Sequence, residues 1–247
     1  MKTRGIHFLM LLFFFLNACS LLEEEKEEEQ DQDQDVISKE SIAAKWVVAG
    51  DNQPIEFVEF FEDNTYLIIA NQPLKSTQAD INYLGTYEIL STNILQLSDF
   101  GTMKFRMNGH NGAVIEVKLE NDREYSLNVE KTEMIAGTNR TKMLCRIWKR
   151  ESYGNDTFLK GFELKVLFSI SGTYFASLKD PEGNRFGTLN YWKWSDETES
   201  AICVSNSFPV VCDSLEQIEI VELKNNLLKI KFQDADVEAY YPNSSLN

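Results

Sequence analysis

The chain has 247 residues, with 39 acidic against 24 basic side chains and two histidines, for a net charge of −15. So acidic a protein is a poor partner for nucleic acid or for a layer of anionic headgroups, both of which are polyanions. Hydrophobic residues make up 43% of it, enough over this length to build one large core or two small ones.

The amino-terminal segment opens on Lys2 and Arg4 and continues as an apolar run from Ile6 to Ala18. At 13 residues this run is a secretory h-region, short of the ~20 residues a helix needs to cross a bilayer. It ends in Leu16-Asn17-Ala18-Cys19, which resembles the lipobox of bacterial lipoproteins. The resemblance implies that residues 1–18 are a signal peptide, that the chain is cut before Cys19, and that Cys19 is the lipidation site, carrying acyl chains such as palmitate. More than one acyl chain gives stable anchoring, so the membrane partner is reached through a lipid anchor and is not spanned.

Residues 19–37 follow as a tether. Glu23, Glu24, Glu25, Glu27, Glu28, Glu29, Asp31, Asp33 and Asp35 stand there against the single Lys26. Such a block repels itself and has nothing to bury, so it is expected to be extended and disordered. Acidic residues just after a lipidated cysteine also resemble the export signal of lipoproteins of the Bacteroidetes group. That resemblance implies an outer-membrane protein of the cell envelope, exposed at the surface.

From Val36 onward, period-two alternation bounded by turn residues dominates, after one short helix over Ser38–Ala44. Ile55–Ala70 reads as two strands around Asp63-Asn64, Leu84–Ser98 as two around Ser91-Thr92-Asn93, and Gly112–Lys131 as a hairpin about Asn121-Asp122. Turns this short join antiparallel neighbours, because parallel strands need long crossovers.

The second half repeats the order. "VEFFEDNTYLI" from Val58 matches "KVLFSISGTYFA" from Lys165, setting Phe60 over Phe168 and Tyr66 over Tyr174. "LGTYEI" from Leu84 matches "FGTLNYWKW" from Phe186, and "VIEVKLENDREYSL" from Val114 matches "IEIVELKNNLLKIKF" from Ile218. Trp46, "FFEDNTY", "GTYEI" and a closing hairpin resemble the lipocalin-like domains of bacterial lipoproteins. That resemblance implies an all-β chain of two tandem antiparallel up-and-down units, barrels or half barrels, over residues 38–150 and 155–247. The second copy shows no clear opening tryptophan and carries a polar insertion, "SDETESAICVSNSFPVVCD".

Chemistry is sparse. His110 is the only histidine after the signal, and it sits in the turn "MNGHNG", so neither a two-histidine metal site nor a histidine relay can be assembled. No G-x-S-x-G, phosphate-loop or dinucleotide-binding glycine pattern occurs. "DPEGNRFG" from Asp180 has Arg185 where a calcium loop needs glycine, and reads as a hairpin turn. No metal, cofactor or enzymatic activity is expected.

Alternation in "NYWKWSD" puts Trp192 and Trp194 on one strand face. Together with Tyr66 and Tyr87 on the repeated strands, they either line a ligand cavity or fill a core. Cys203 and Cys212, nine positions apart across a polar loop, are placed to form a disulfide in an oxidising compartment, while Cys145 reads as buried and free. The expected function is a lipid-anchored binding module for a small apolar or glycan ligand or for an envelope partner. The alternative is an assembly lipoprotein that makes only protein contacts.

Overall fold

The computed structural model describes residues 36–74, 81–135, 137–150, 161–212, 217–233 and 235–243. The expected signal peptide, Cys19 and residues 20–35 of the expected tether lie outside these residues; the tether's last residue, Ile37, is not extended into solvent but buried in the first barrel, its N–H donating to Thr92 O at 2.6 Å.

The strands run β1 (Lys45–Val48), β2 (Ile55–Phe60), β3 (Thr65–Ala70), β4 (Asn82–Ser91), β5 (Ile94–Leu97), β6 (Gly101–Asn108), β7 (Gly112–Leu119) and β8 (Glu124–Lys131). They continue as β9 (Ile147–Arg150), β10 (Glu163–Phe168), β11 (Thr173–Lys179), β12 (Arg185–Trp194), β13 (Ala201–Ser205), β14 (Gln217–Lys224), β15 (Leu227–Lys231) and β16 (Val237–Pro242). Strands β1 to β8 pair in sequence order and β8 closes on β1, giving one antiparallel barrel of eight strands. Strands β10 to β16 do the same, and β9 closes the second barrel by pairing with both β16 and β10. The tandem all-β architecture expected from the sequence is present, in its fully closed form. Asn64 and Asp122, with φ of 66° and 60°, supply the left-handed turn positions that asparagine and aspartate tolerate.

Each barrel opens on a short helix and a tryptophan. Helix α1 (Lys39–Ile42) is capped by Ser38, whose hydroxyl accepts from Ser41 N at 3.2 Å while Ser41 Oγ accepts from Ser38 N at 2.9 Å. Trp46 Nε1 then donates back to Ile42 O at 2.9 Å. Helix α2 (Asn139–Leu144) is capped by Thr138, and Trp148 Nε1 donates to Leu144 O at 2.9 Å. Trp148 is therefore the opening tryptophan of the second copy. The boundary between units falls between Lys131 and Thr138, not after Arg150, because both neighbours of β9 lie later in the chain.

Two further details of the repeat change. Tyr66 faces Gly85 across β3–β4, whereas Tyr174 faces Asn190 across β11–β12, so Tyr87 corresponds to Trp192 and the two glycine-threonine pairs are not equivalent. Tyr87 and Trp192 each stand edge-on to the matching phenylalanine, Phe60 at 5.2 Å and Phe168 at 5.8 Å. With β9 matching β1, the β14–β15 hairpin corresponds to β6–β7 and not to β7–β8, and the polar insertion contains strand β13. Adjacent hairpins share a period of two, so a shift by one strand leaves their apolar pattern unchanged.

The barrels meet along the outer faces of β2, β3, β10 and β11. Phe57, Leu67 and Ile69 pack there with Ile147, Leu167 and Phe175 in one cluster. This contact explains why "TYLIIA" is buried on both faces, all six residues of β3 being covered. Two ionisable groups are enclosed with it. Lys45 (6% exposed) and Glu59 (2% exposed) are cross-strand neighbours on β1 and β2. Lys45 Nζ donates to Thr173 Oγ1 at 3.3 Å and lies 3.9 Å from the Phe57 ring centre. Glu59 Oε1 accepts from the Ser171 hydroxyl, while Glu59 Oε2 has no hydrogen-bond partner among the described residues. Burial lowers the Lys45 pKa, and the nearby Glu59 charge opposes that shift.

An enclosed charge left without its opposite is costly, so Lys45→Met should destabilise the protein by about 3–5 kcal/mol in urea unfolding. Lys45→Met combined with Glu59→Leu should recover most of that loss. A double variant as unstable as the single one would show that the opposed charges are not coupled.

Candidate functional site

The ends of each barrel differ. In the first, strand β2 returns to the α1 end, where Phe60 N donates to Ala44 O at 3.0 Å. The connection after β3 lies at the opposite end, and Leu74 from that connection is fully buried. Leu74 N donates to the Tyr83 hydroxyl at 3.1 Å, and its carbonyl accepts from Asn121 Nδ2 at 3.3 Å and Arg123 Nη1 at 3.2 Å. Below it the interior is filled: Phe60 and Phe105 pack edge-on at 5.6 Å, Tyr83 and Phe100 at 5.1 Å, and Ile55, Leu95, Met103 and Phe105 have no exposed surface. A void large enough for water would leave such side chains some accessible area. An eight-stranded barrel is just wide enough for its own side chains to fill, and this one is filled.

The second barrel is filled only at the α2 end. Trp148, Phe168 and Trp192 are buried there, and Trp194 packs edge-on to Trp192 at 5.5 Å. Toward the other end the inward positions open. Ile55, Ile68 and Ala70 of the first barrel are 0%, 0% and 2% exposed. Their counterparts Leu164, Ala176 and Leu178 are all half-buried. The buried Tyr83 corresponds to Thr188, which is exposed, and Phe186 at the rim is 58% exposed. The pairing of Ala176 with Thr188 and of Leu178 with Phe186 places these residues in two facing rows. Gly187 and Leu189, on the other face of β12, turn toward the first barrel: a Cβ on Gly187 would stand 2.6 Å from the Phe175 ring, and Leu189 packs in the seam.

A polar group sits within this mouth. Alternation from the buried Trp148 turns Arg150 inward, and alternation from the buried Tyr240 does the same for Glu238. Arg150 Nη2 and Glu238 Oε1 are 3.0 Å apart, with side chains 19% and 20% exposed. The Tyr240 hydroxyl donates to Glu238 Oε2 at 2.5 Å. Arg150 Nε is covered and has no hydrogen-bond partner among the described residues. Burial, reinforced by the Glu238 charge, pushes the Tyr174 phenol up to about 12. Burial, then the hydrogen bond to Glu238, raises Tyr240 as well. Both phenols therefore stay protonated at neutral pH and Tyr240 remains a donor.

Of the two roles open to the four aromatic residues, lining a cavity or filling a core, the structure shows the second, with Trp194 only partly buried. Trp192 is 1% exposed and its Nε1 donates to Ser169 O at 2.9 Å. Trp194 Nε1 donates to Thr141 Oγ1 at 2.9 Å. Tyr66 and Tyr87, 1% and 4% exposed, donate their hydroxyls to Ser98 O at 2.5 Å and Phe61 O at 2.9 Å. Trp192, Tyr66 and Tyr87 have their apolar bodies enclosed and Trp194 is half-buried against the same core as Trp192, each with its polar tip satisfied. The lining role passes to Leu164, Ala176, Leu178, Phe186 and Thr188, with Arg150 and Glu238 as the polar members. The sequence held a signal for that pair: "IWKR" and "VEAYY" each place one charge on the face of a strand that otherwise points into the core.

Cys203 and Cys212 form a disulfide with a Cα–Cα distance of 5.3 Å. It closes a loop that exposes Phe208 (68%) and Val211 (71%). Cys145 is free, and burial raises its thiol pKa, which keeps it protonated and unreactive. His110 is exposed. Among the described residues no group of three or more His, Cys, Asp or Glu side chains could hold a metal ion, and no helix is long and apolar enough to cross a membrane. No family model matches the chain, and no curated protein matches it.

Equivalent positions at the two mouths should respond differently to truncation. Ile55→Ala should cost about 2–5 kcal/mol in urea unfolding, and Leu164→Ala about 1 kcal/mol or less, because the second side chain is already wet. Equal losses would mean that the second mouth is packed like the first.

Proposed function

We propose that the protein is a lipid-anchored binding module of the cell envelope, displayed at the outer membrane, whose second barrel takes a small amphipathic ligand. The first barrel, with its sealed interior, is the rigid base. The observation that carries this reading is the unequal filling of two copies of one fold. At matched depths the first copy buries Ile55, Ile68 and Ala70, while the second leaves Leu164, Ala176 and Leu178 partly in water. Leaving apolar side chains wet forgoes about 25 cal/mol per Å² of buried area, a loss that a ligand's apolar part would recover. Binding sites of this kind are concave, mostly apolar and furnished with a few convergent polar groups, which Arg150, Glu238 and Thr188 would provide.

The lipobox-like residues ending in Cys19 and the acidic run after it support the anchored, exported setting. The disulfide between Cys203 and Cys212 agrees with it, since such bonds persist in oxidising compartments. A contact with an envelope protein has one observation in its favour, the exposed Phe208 and Val211 on the disulfide-closed loop.

Titration of the purified protein with an apolar fluorophore such as anilinonaphthalene sulfonate should give saturable binding. Phe186→Asp and Leu178→Asp should weaken it roughly tenfold or more, by placing a charge against the ligand's apolar part, and Phe208→Asp should leave it unchanged. Loss of binding in Phe208→Asp alone would place the contact on the loop and favour the protein-contact reading. In cells, Cys19→Ala should move the protein from the membrane to the soluble fraction; a variant that stays membrane-bound and still incorporates labelled palmitate would overturn the anchor.

A further inference from the structure

The chemistry of the mouth restricts the ligand further. Resting on the reading that the second barrel is a binding cup, we infer that its ligand is an uncharged amphiphile: an apolar chain or ring joined to a head group with acceptor oxygens, such as a glycoside or an acylglycerol.

The Arg150–Glu238 pair sets the condition. Both side chains face inward, their charged atoms are 3.0 Å apart, and about a fifth of each remains open. The site therefore carries two opposite charges that already cancel. The Glu238 carboxylate is the more fully occupied partner, with Oε1 against Arg150 and Oε2 accepting from Tyr240. The guanidinium is the less occupied one: it has five N–H donors, its ion-pair partner among the described residues is Glu238 through Nη2, and with Nε covered by protein the fifth of the side chain left open offers its donors from the Nη end. The unmet demand in the mouth is thus for acceptors.

Head groups differ in how they meet that demand. A carboxylate would accept from Arg150, but it would bring a second negative charge against Glu238, in a chain of net charge −15, beside a guanidinium whose charge Glu238 already cancels. An ammonium group would meet Arg150 and would find both Glu238 oxygens already engaged. A hydroxyl or ester carbonyl accepts from the guanidinium and leaves the Arg150–Glu238 pair and the Tyr240 bond in place. Thr188, exposed on β12, adds a hydroxyl near the rim. Leu164, Ala176, Leu178 and Phe186 are the surface for the apolar part.

Three probes of equal chain length separate these cases: monooctanoylglycerol, octanoate and octylammonium, each titrated by calorimetry below its micellar concentration. The neutral ester should bind the wild-type protein roughly tenfold or more tightly than either ion, the scale of one hydrogen bond to a charged group. Glu238→Gln removes the cancelling charge and should raise octanoate affinity by a similar factor. Arg150→Lys keeps the charge balance with fewer donors and should weaken the ester without improving octanoate. If Glu238→Gln does not fold, as judged by its circular dichroism, the wild-type ranking and Arg150→Lys still decide. Octanoate binding as tightly as the ester, or an ester affinity untouched by Arg150→Lys, would overturn the neutral-head assignment while leaving the cup in place. Failure of all three probes to bind would overturn the cup and this assignment together.

Discussion

Closing eight strands fixes an interior of nearly constant width, and that interior has to be occupied by the protein's own side chains, by water or by a guest. Much else in this molecule follows from how the two barrels meet that constraint. The first uses aromatic rings in edge-on contact, Trp46, Phe60, Tyr87 and Phe105, and seals its far end with Leu74. The second packs Trp148, Phe168, Trp192 and Trp194 at the end covered by α2 and leaves Leu164, Ala176, Leu178 and Thr188 beyond them only partly covered or exposed. The result is a duplicated fold with one sealed copy and one half-filled copy.

The seam between the copies turns two barrels into one body. Strands β2 and β3 are covered inside by the first barrel's core and outside by Leu167 and Phe175 of the second. Lys45, Glu59, Ser171 and Thr173 lie in the same contact, and their hydrogen bonds cross between barrels. Buried polar groups of this kind add little net stability but penalise every alignment in which they go unpaired. Their role here is to fix how the outer faces register, while the apolar cluster supplies the attraction.

Most of the architecture was legible in the sequence because period-two alternation and short turns are local signals. The two-strand reading of Ile55–Ala70 and the hairpin at Gly112–Lys131 match β2–β3 and β7–β8. What was not legible depends on contacts remote in the chain. Strand β9 precedes β10 but its other partner is β16, some 90 residues on, so "IWKR" reads equally well as the end of the first unit. The roles of Trp192 and Tyr66 turn on their standing at the helix-covered barrel ends, against Phe168 and Phe60, which strand pairing decides and no periodicity marks. The Arg150–Glu238 pair was visible only as two isolated charges on core-facing strand positions, far apart in sequence and opposite in sign.

The functional account stands on one spatial claim, that a ligand enters the second barrel and not the first. Backbone amide chemical shifts recorded during titration with a neutral amphiphile test it most directly. The account predicts perturbations concentrated at Leu164, Ala176, Leu178, Thr188 and Glu238, with the amides of Ile55, Ile68 and Tyr83 unmoved. Perturbations confined to the first barrel's interior, or to the outer loop at Phe208 and Val211, would contradict it.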